Sequence, residues 1–168
     1  MTPGAPILIA ACGNPMAADD GFGPAVAERL ASRDLPEVSV LNLTTRPDVL
    51  LEHLGNRAAL LVIDAVTGAG EDPSDRWVDL SWREAMAAGL QTAGSLSSHG
   101  WSVGSVIEMA RRLKMLPPVV HLIGIRIDHD HVGEAMSGEV ATSVEAAADR
   151  AEAWSRCLLE KAESRPHA

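Results

Sequence analysis

The run AALLVIDAV at residues 58–66 constrains this chain most. It is apolar on both alternating faces until Asp64, so neither face can be turned to water. Such a segment reads as a central strand covered by helices on both sides. Two further runs share this character: ILIAAC over Ile7–Cys12, bounded by Pro6 and Gly13, and VVHLIGIRI over Val119–Ile127. Val38 to Leu43 alternates weakly and reads as another strand, and Trp77 to Trp82 as a short edge strand.

Helical spacing fills the intervals. Phe22, Val26 and Leu30 recur every four residues, with Pro24 where a first helical turn tolerates proline, so a helix to about Ser32 is expected. Pro47 opens a short helix carrying Leu50, Leu51 and Leu54. Ser102 to Lys114 places Val103, Ile107, Ala110 and Leu113 on one face, and Pro117-Pro118 stops it. Val140, Val144, Ala147, Ala151, Trp154 and Leu158 define a long amphipathic helix. Gly68–Ser74 reads as a turn region and Ala85–Ser98 as irregular. Alternating strands and helices give an α/β class: three layers, with a mostly parallel sheet. The 168 residues fit one domain spanning 1–168, with a core from about 7 to 160.

Charge narrows the partners. Lys plus Arg is 14 and Asp plus Glu is 23, a net charge of -9, which disfavours a nucleic-acid binder. No apolar run reaches the roughly 18 residues of a membrane span. Met1–Pro6 carries no basic region and does not read as a secretory signal. Cys12 and Cys157 make no disulfide framework. The expectation is a reduced cytoplasmic protein with neither nucleic acid nor membrane as partner.

Ligands of open α/β sheets bind beyond the carboxyl ends of the strands. After the first strand comes the loop Gly13–Gly23 with Asp19 and Asp20; at the end of the third stands Asp64; after the edge strand comes Ser97-Ser98-His99-Gly100. Two carboxylates and an imidazole from three loops suit a borderline divalent metal with open positions. Singly, each has an ordinary alternative. Asp19 or Asp20 could cap a helix, Asp64 could accept hydrogen bonds in a turn, and His99 could be a solvated loop residue. The first loop lacks both GxGxxG and a GK[ST] ending, so a nucleotide cradle is weakly supported. Asp128-His129-Asp130-His131 could form a second metal site or a solvated loop. Four consecutive residues of an extended segment cannot all aim at one ion. Cys12 reads as a core residue, Trp101 as packing or a loop anchor, and no GxSxG elbow is present.

Gly13-Asn14, then Asp19-Asp20-Gly21-Phe22-Gly23-Pro24, resembles the N-terminal signature of the [NiFe]-hydrogenase maturation endopeptidases. Val62-Ile63-Asp64-Ala65-Val66 and Ser98-His99-Gly100 match that family's second and third signatures, and Gly124-Ile125 before the final helix also fits. The resemblance runs from about Ile7 to Leu159. It implies a five-stranded twisted sheet flanked by helices. It also implies a nickel-dependent protease that removes a C-terminal extension from the hydrogenase large-subunit precursor after nickel has entered. The family's metal-contacting positions fall on Asp20, Asp64 and His99, which serve as both catalytic and metal residues. Nickel is then presented by the precursor, with no organic cofactor and no tightly held structural zinc. Asp19 is expected to cap or orient the first helix. Ala11 replaces the first Gly of the usual GxGN pattern. Asn42-Leu43-Thr44-Thr45 stands where many relatives carry Asp-Gly-Gly-Thr, a departure that bears on substrate recognition. Two other readings are a non-cutting, nickel-sensing chaperone of the precursor and a small nucleotide-binding α/β protein.

Overall fold

A computed structural model describes residues 5–68, 76–92, 101–127 and 133–164. The elements are β1 (Ile7–Cys12), α1 (Phe22–Ala31), β2 (Val38–Thr44), α2 (Leu50–His53), β3 (Ala59–Thr67), β4 (Trp77–Ser81), α3 (Trp82–Ala87), β5 (Gln91–Thr92), α4 (Val103–Arg112), β6 (Val119–Arg126) and α5 (Gly138–Glu163). Two 3-10 turns, Ala18–Gly21 and Pro47–Val49, lead into α1 and α2.

The strand order is β2-β1-β3-β6-β4, with β5 paired to β3 off this path. β1, β2, β3 and β6 are parallel, whereas β4 runs antiparallel to β6 and β5 antiparallel to β3. Among the described residues the sheet therefore has six strands, the five of this path and β5, one more than expected. The reason is length. β1 accompanies β3 only to Ile63, and β3 continues to Thr67, so its exposed backbone groups need another partner. Two residues of β5 supply it, at Val66 and Thr67.

Successive strand residues face opposite sides of the sheet and build two cores. Ile7, Ile9, Leu61, Ile63, Ile123 and Ile125 pack against Phe22, Val26 and Leu30 of α1 and Val140, Ala147 and Ala151 of α5. On the opposite face Leu8, Ala10, Leu60, Val62 and Leu122 meet Leu50 of α2, Ala85 of α3 and Val103, Ile107 and Ala110 of α4. Every residue of β3 up to Val66 is buried, as a central strand covered on both sides requires. Arg33, beyond α1, ties that end to α5 through Glu145, Asp149 and Glu152 at 2.5–2.8 Å.

A helix that was not expected runs from the end of the edge strand into the stretch read as irregular. Ser81 ends β4 and caps α3: its hydroxyl accepts the Glu84 N–H while the Glu84 carboxylate takes the Ser81 N–H. This reciprocal cap fixes a helix start, so Trp82 belongs to α3 and not to the edge strand. Among the described residues no helix is long and apolar enough to cross a membrane.

Candidate active site

β2 and β3 lie on opposite sides of β1, so the connections leaving β1 and β3 diverge at their shared carboxyl end. This is the topological switch point, where open α/β sheets hold their ligands. Asp20 and Asp64 both belong to it. Asp20 sits in the 3-10 turn after β1. Asp64 is not at the tip of its strand but three residues inside β3, between the last residue paired with β1 and the first paired with β5.

Two glycines bring the Asp20 turn onto the strand ends. Gly13 has φ +131°, and a Cβ there would lie 2.0 Å from the Asp20 carbonyl oxygen. Gly23, in the first turn of α1, would put a Cβ 2.0 Å from the Cys12 carbonyl oxygen and 2.8 Å from that of Ile63. Side chains at either position would push the turn off the sheet. Hydrogen bonds brace the loop as well. The Asn14 N–H donates to Asp20 Oδ2 at 2.8 Å, the Met16 N–H to Asn14 Oδ1 at 3.0 Å, and the Gly13 N–H to the Thr44 carbonyl at 3.1 Å. Thr44 itself has φ +47°, a left-handed conformation unusual for a β-branched residue.

Both carboxylates are buried, Asp64 at 1% exposure and Asp20 at 6%. Neither Asp64 oxygen has a hydrogen-bond partner among the described residues. Burial, then the charge of Asp20, pushes the Asp64 carboxyl well above the usual carboxylate range, and the nearby Ala65 N–H offsets only part of this. Among the described residues no side chain stabilises the ionised form of Asp64, and a divalent cation is the kind of group that does so. Oxygen donors are appropriate for such an ion. Cys12 is buried at the end of β1, where desolvation and then Asp64 and Asp20 push its thiol well up. It is a protonated core residue, as read from sequence, and no nucleophile.

His99, the third expected metal contact, lies outside the described residues, as does the Asp128–His131 cluster. Among the described residues no three His, Cys, Asp or Glu side chains come close enough to hold a metal. Trp101 is 52% exposed and so lies outside the core.

Asp19 does not cap α1. The residue before α1 is Gly21, with no side-chain cap, and Asp19 instead accepts the Ser137 N–H at 2.7 Å and the Ser137 hydroxyl at 3.1 Å. Sequence reasoning missed this pair because the partners are 118 residues apart. It also missed the Asn14 amide as the group that orients Asp20, although Asn beside Gly in a tight loop signals such a turn.

Comparison with known proteins follows the same lines. Residues 24–154 match the HycI family model, described as hydrogenase maturation protease. Among solved structures the chain is similar to the hydrogenase maturating endopeptidase HybD from E. coli, with 24% identity, 89% of this chain and 91% of that chain covered, and a TM-score of 0.74. It is similar to the [NiFe] hydrogenase maturation protease HybD from Thermococcus kodakarensis, with 26% identity, coverage of 89% and 98%, and a TM-score of 0.68. It also resembles the hydrogenase 2 maturation peptidase from Thaumarchaeota archaeon SCGC_AB-539-E09, with 27% identity, coverage of 86% and 94%, and a TM-score of 0.59. No curated protein sequence matches at a significant level. The family model covers most of the chain, and this chain belongs to the hydrogenase maturation protease family.

Proposed function

We propose that the protein is an endopeptidase that removes the C-terminal extension of a [NiFe]-hydrogenase large-subunit precursor once nickel has been inserted. Asp20, Asp64 and His99 would engage the nickel that the precursor carries. The observation that supports this most is Asp64: a fully buried carboxylate, both oxygens unpartnered among the described residues, beside a second buried carboxylate at the switch point. Two buried acids placed together are costly in the free protein, and the cost is offset when a cation arrives between them. A protein built this way recognises a substrate by the metal in it.

The two acids play unequal parts. Asp20 is oriented beforehand, with one oxygen fixed by the Asn14 N–H. Asp64 has no hydrogen-bond partner among the described residues, and its burial and the charge of Asp20 favour the protonated form, a balance that a nearby cation would reverse. Nickel in the precursor would supply Lewis acidity toward the scissile carbonyl. A carboxylate of the site is the group available to take a proton from the attacking water. The segment that carries His99 leaves from Thr92, beside β3 at Val66, and returns at Ser102, the cap of α4. Its departure point thus lies two residues along β3 from Asp64 in register.

The test is to incubate the protein with nickel-loaded and nickel-free precursor and to weigh the products. Trimming of the loaded form alone supports the proposal. Binding of loaded precursor with no change of mass would favour a chaperone and overturn it.

A further inference from the structure

The turn that carries Asp20 does not hold its shape alone. Ala18, which opens it, has φ +44°. A side chain in that left-handed region costs roughly 1–2 kcal/mol, and such a conformation persists only where the surroundings fix it. The surroundings here come from the far end of the chain. Residues 133–137, leading into α5, run along the turn as a strap. The Gly133 N–H donates to the Met16 carbonyl at 2.7 Å, and the Ala18 N–H donates to the Glu134 carbonyl at 3.2 Å. Asp19 closes the strap on Ser137 with both carboxylate oxygens, at 2.7 and 3.1 Å. The Ser137 hydroxyl at the same time accepts the Val140 N–H at the start of α5, so the clasp is anchored in a 26-residue helix.

We infer that Asp19 is a positioning residue: its clasp on Ser137 holds the strained Ala18 turn so that Asp20 presents its carboxylate beside Asp64. This rests on the proposed function for its catalytic consequence, but not for its geometry. Asp19 touches neither substrate nor metal in this scheme; it acts through the backbone of its neighbour. Asn at position 19 could still accept the Ser137 N–H and donate to the Ser137 hydroxyl. Ala could do neither.

The experiment is amide hydrogen exchange on wild type, Asp19→Ala and Asp19→Asn, with precursor processing measured alongside. The Asn14 N–H is the reporter, because its acceptor is the Asp20 carboxylate itself. In Asp19→Ala it should exchange at least about fivefold faster, the scale of a single lost hydrogen bond, while amides of Ile9 and Leu61 in the core are unchanged. Processing should fall in kcat/KM, since a displaced Asp20 no longer engages the precursor's nickel in the productive geometry. Asp19→Asn should restore both readouts to within about threefold of wild type. Unchanged Asn14 exchange in a folded Asp19→Ala protein overturns the inference, as does faster exchange with processing unaltered. If wild type trims no precursor, the proposed function fails, and Asn14 exchange alone still decides whether the clasp positions Asp20.

Discussion

Gly23→Ala should be one of the most damaging single-methyl additions to this fold. In an ordinary helix the change would help, by about 1 kcal/mol of propensity. Here the added Cβ would meet two backbone oxygens, Cys12 at 2.0 Å and Ile63 at 2.8 Å, where ordinary contact begins at 3.4 Å. Neither oxygen can retreat, because each belongs to a buried strand of the sheet. The helix must move instead, by about 1.4 Å at this point if contact is to become ordinary. A gap of 0.5–1 Å already forfeits roughly a quarter to a half of a dispersion contact. Phe22, Val26 and Leu30 are all buried against the strands and would lose packing together. We expect a net loss of about 3 kcal/mol, or roughly 6–12 °C in Tm for a chain of this size. The 3-10 turn runs straight into α1, so Asp20 would be carried away from Asp64 and processing would fall as well. Thermal melts followed by circular dichroism measure the first effect. Gly55→Ala, where a Cβ meets nothing within 4 Å, is the control and should stay within about 0.5 kcal/mol. A Gly23→Ala protein that melts with wild type would refute the close approach of α1 to the strand ends.

Two further outcomes follow from the site. The raised pKa of Asp64 means that the folded state holds a proton the unfolded state has released; the associated stability is present below the ordinary carboxylate range, near pH 4, and is lost as pH rises. Asp64→Asn should therefore match wild type near pH 4 and exceed it by about 2 kcal/mol at neutral pH in the absence of metal, an advantage that parallel denaturation curves at the two pH values would contradict. Thr44→Gly should relieve the left-handed strain at φ +47° and raise Tm by about 2–4 °C, since the Gly13 N–H still finds the backbone carbonyl at 44; a fall in Tm would show that the side chain is itself structural.

The sheet was legible because its interior strands carry continuous apolar runs, which only a doubly covered sheet can bury. AALLVIDAV announced β3, and the alternation of strands with helix-spaced residues announced three layers. The sixth strand was not legible: Gln91-Thr92 has no pattern of its own and pairs only because β3 outruns β1. The helix Trp82–Ala87 was missed although its cap, Ser81 with Glu84, is a local sequence signal that was not weighed. Of the candidate site, Asp20 and Asp64 were found because the ends of parallel strands converge on one edge. The depth of Asp64 inside its strand could not be read, since it depends on where β1 stops. The cap reading of Asp19 fails for a physical reason: an Asp before a helix suggests a cap, and nothing local reveals a partner at the start of α5.

The account stands most directly on Asp64 as the acid that meets the nickel of the precursor. Asp64→Asn preserves size and, by the argument above, stability, while removing the charge. Incubation of this variant with nickel-loaded precursor, followed by intact-mass measurement beside wild type, isolates that one property. We expect wild type to release the trimmed subunit and the folded Asp64→Asn protein to leave the precursor at full mass. Trimming by the variant at the wild-type rate would contradict the carboxylate site and the function built on it.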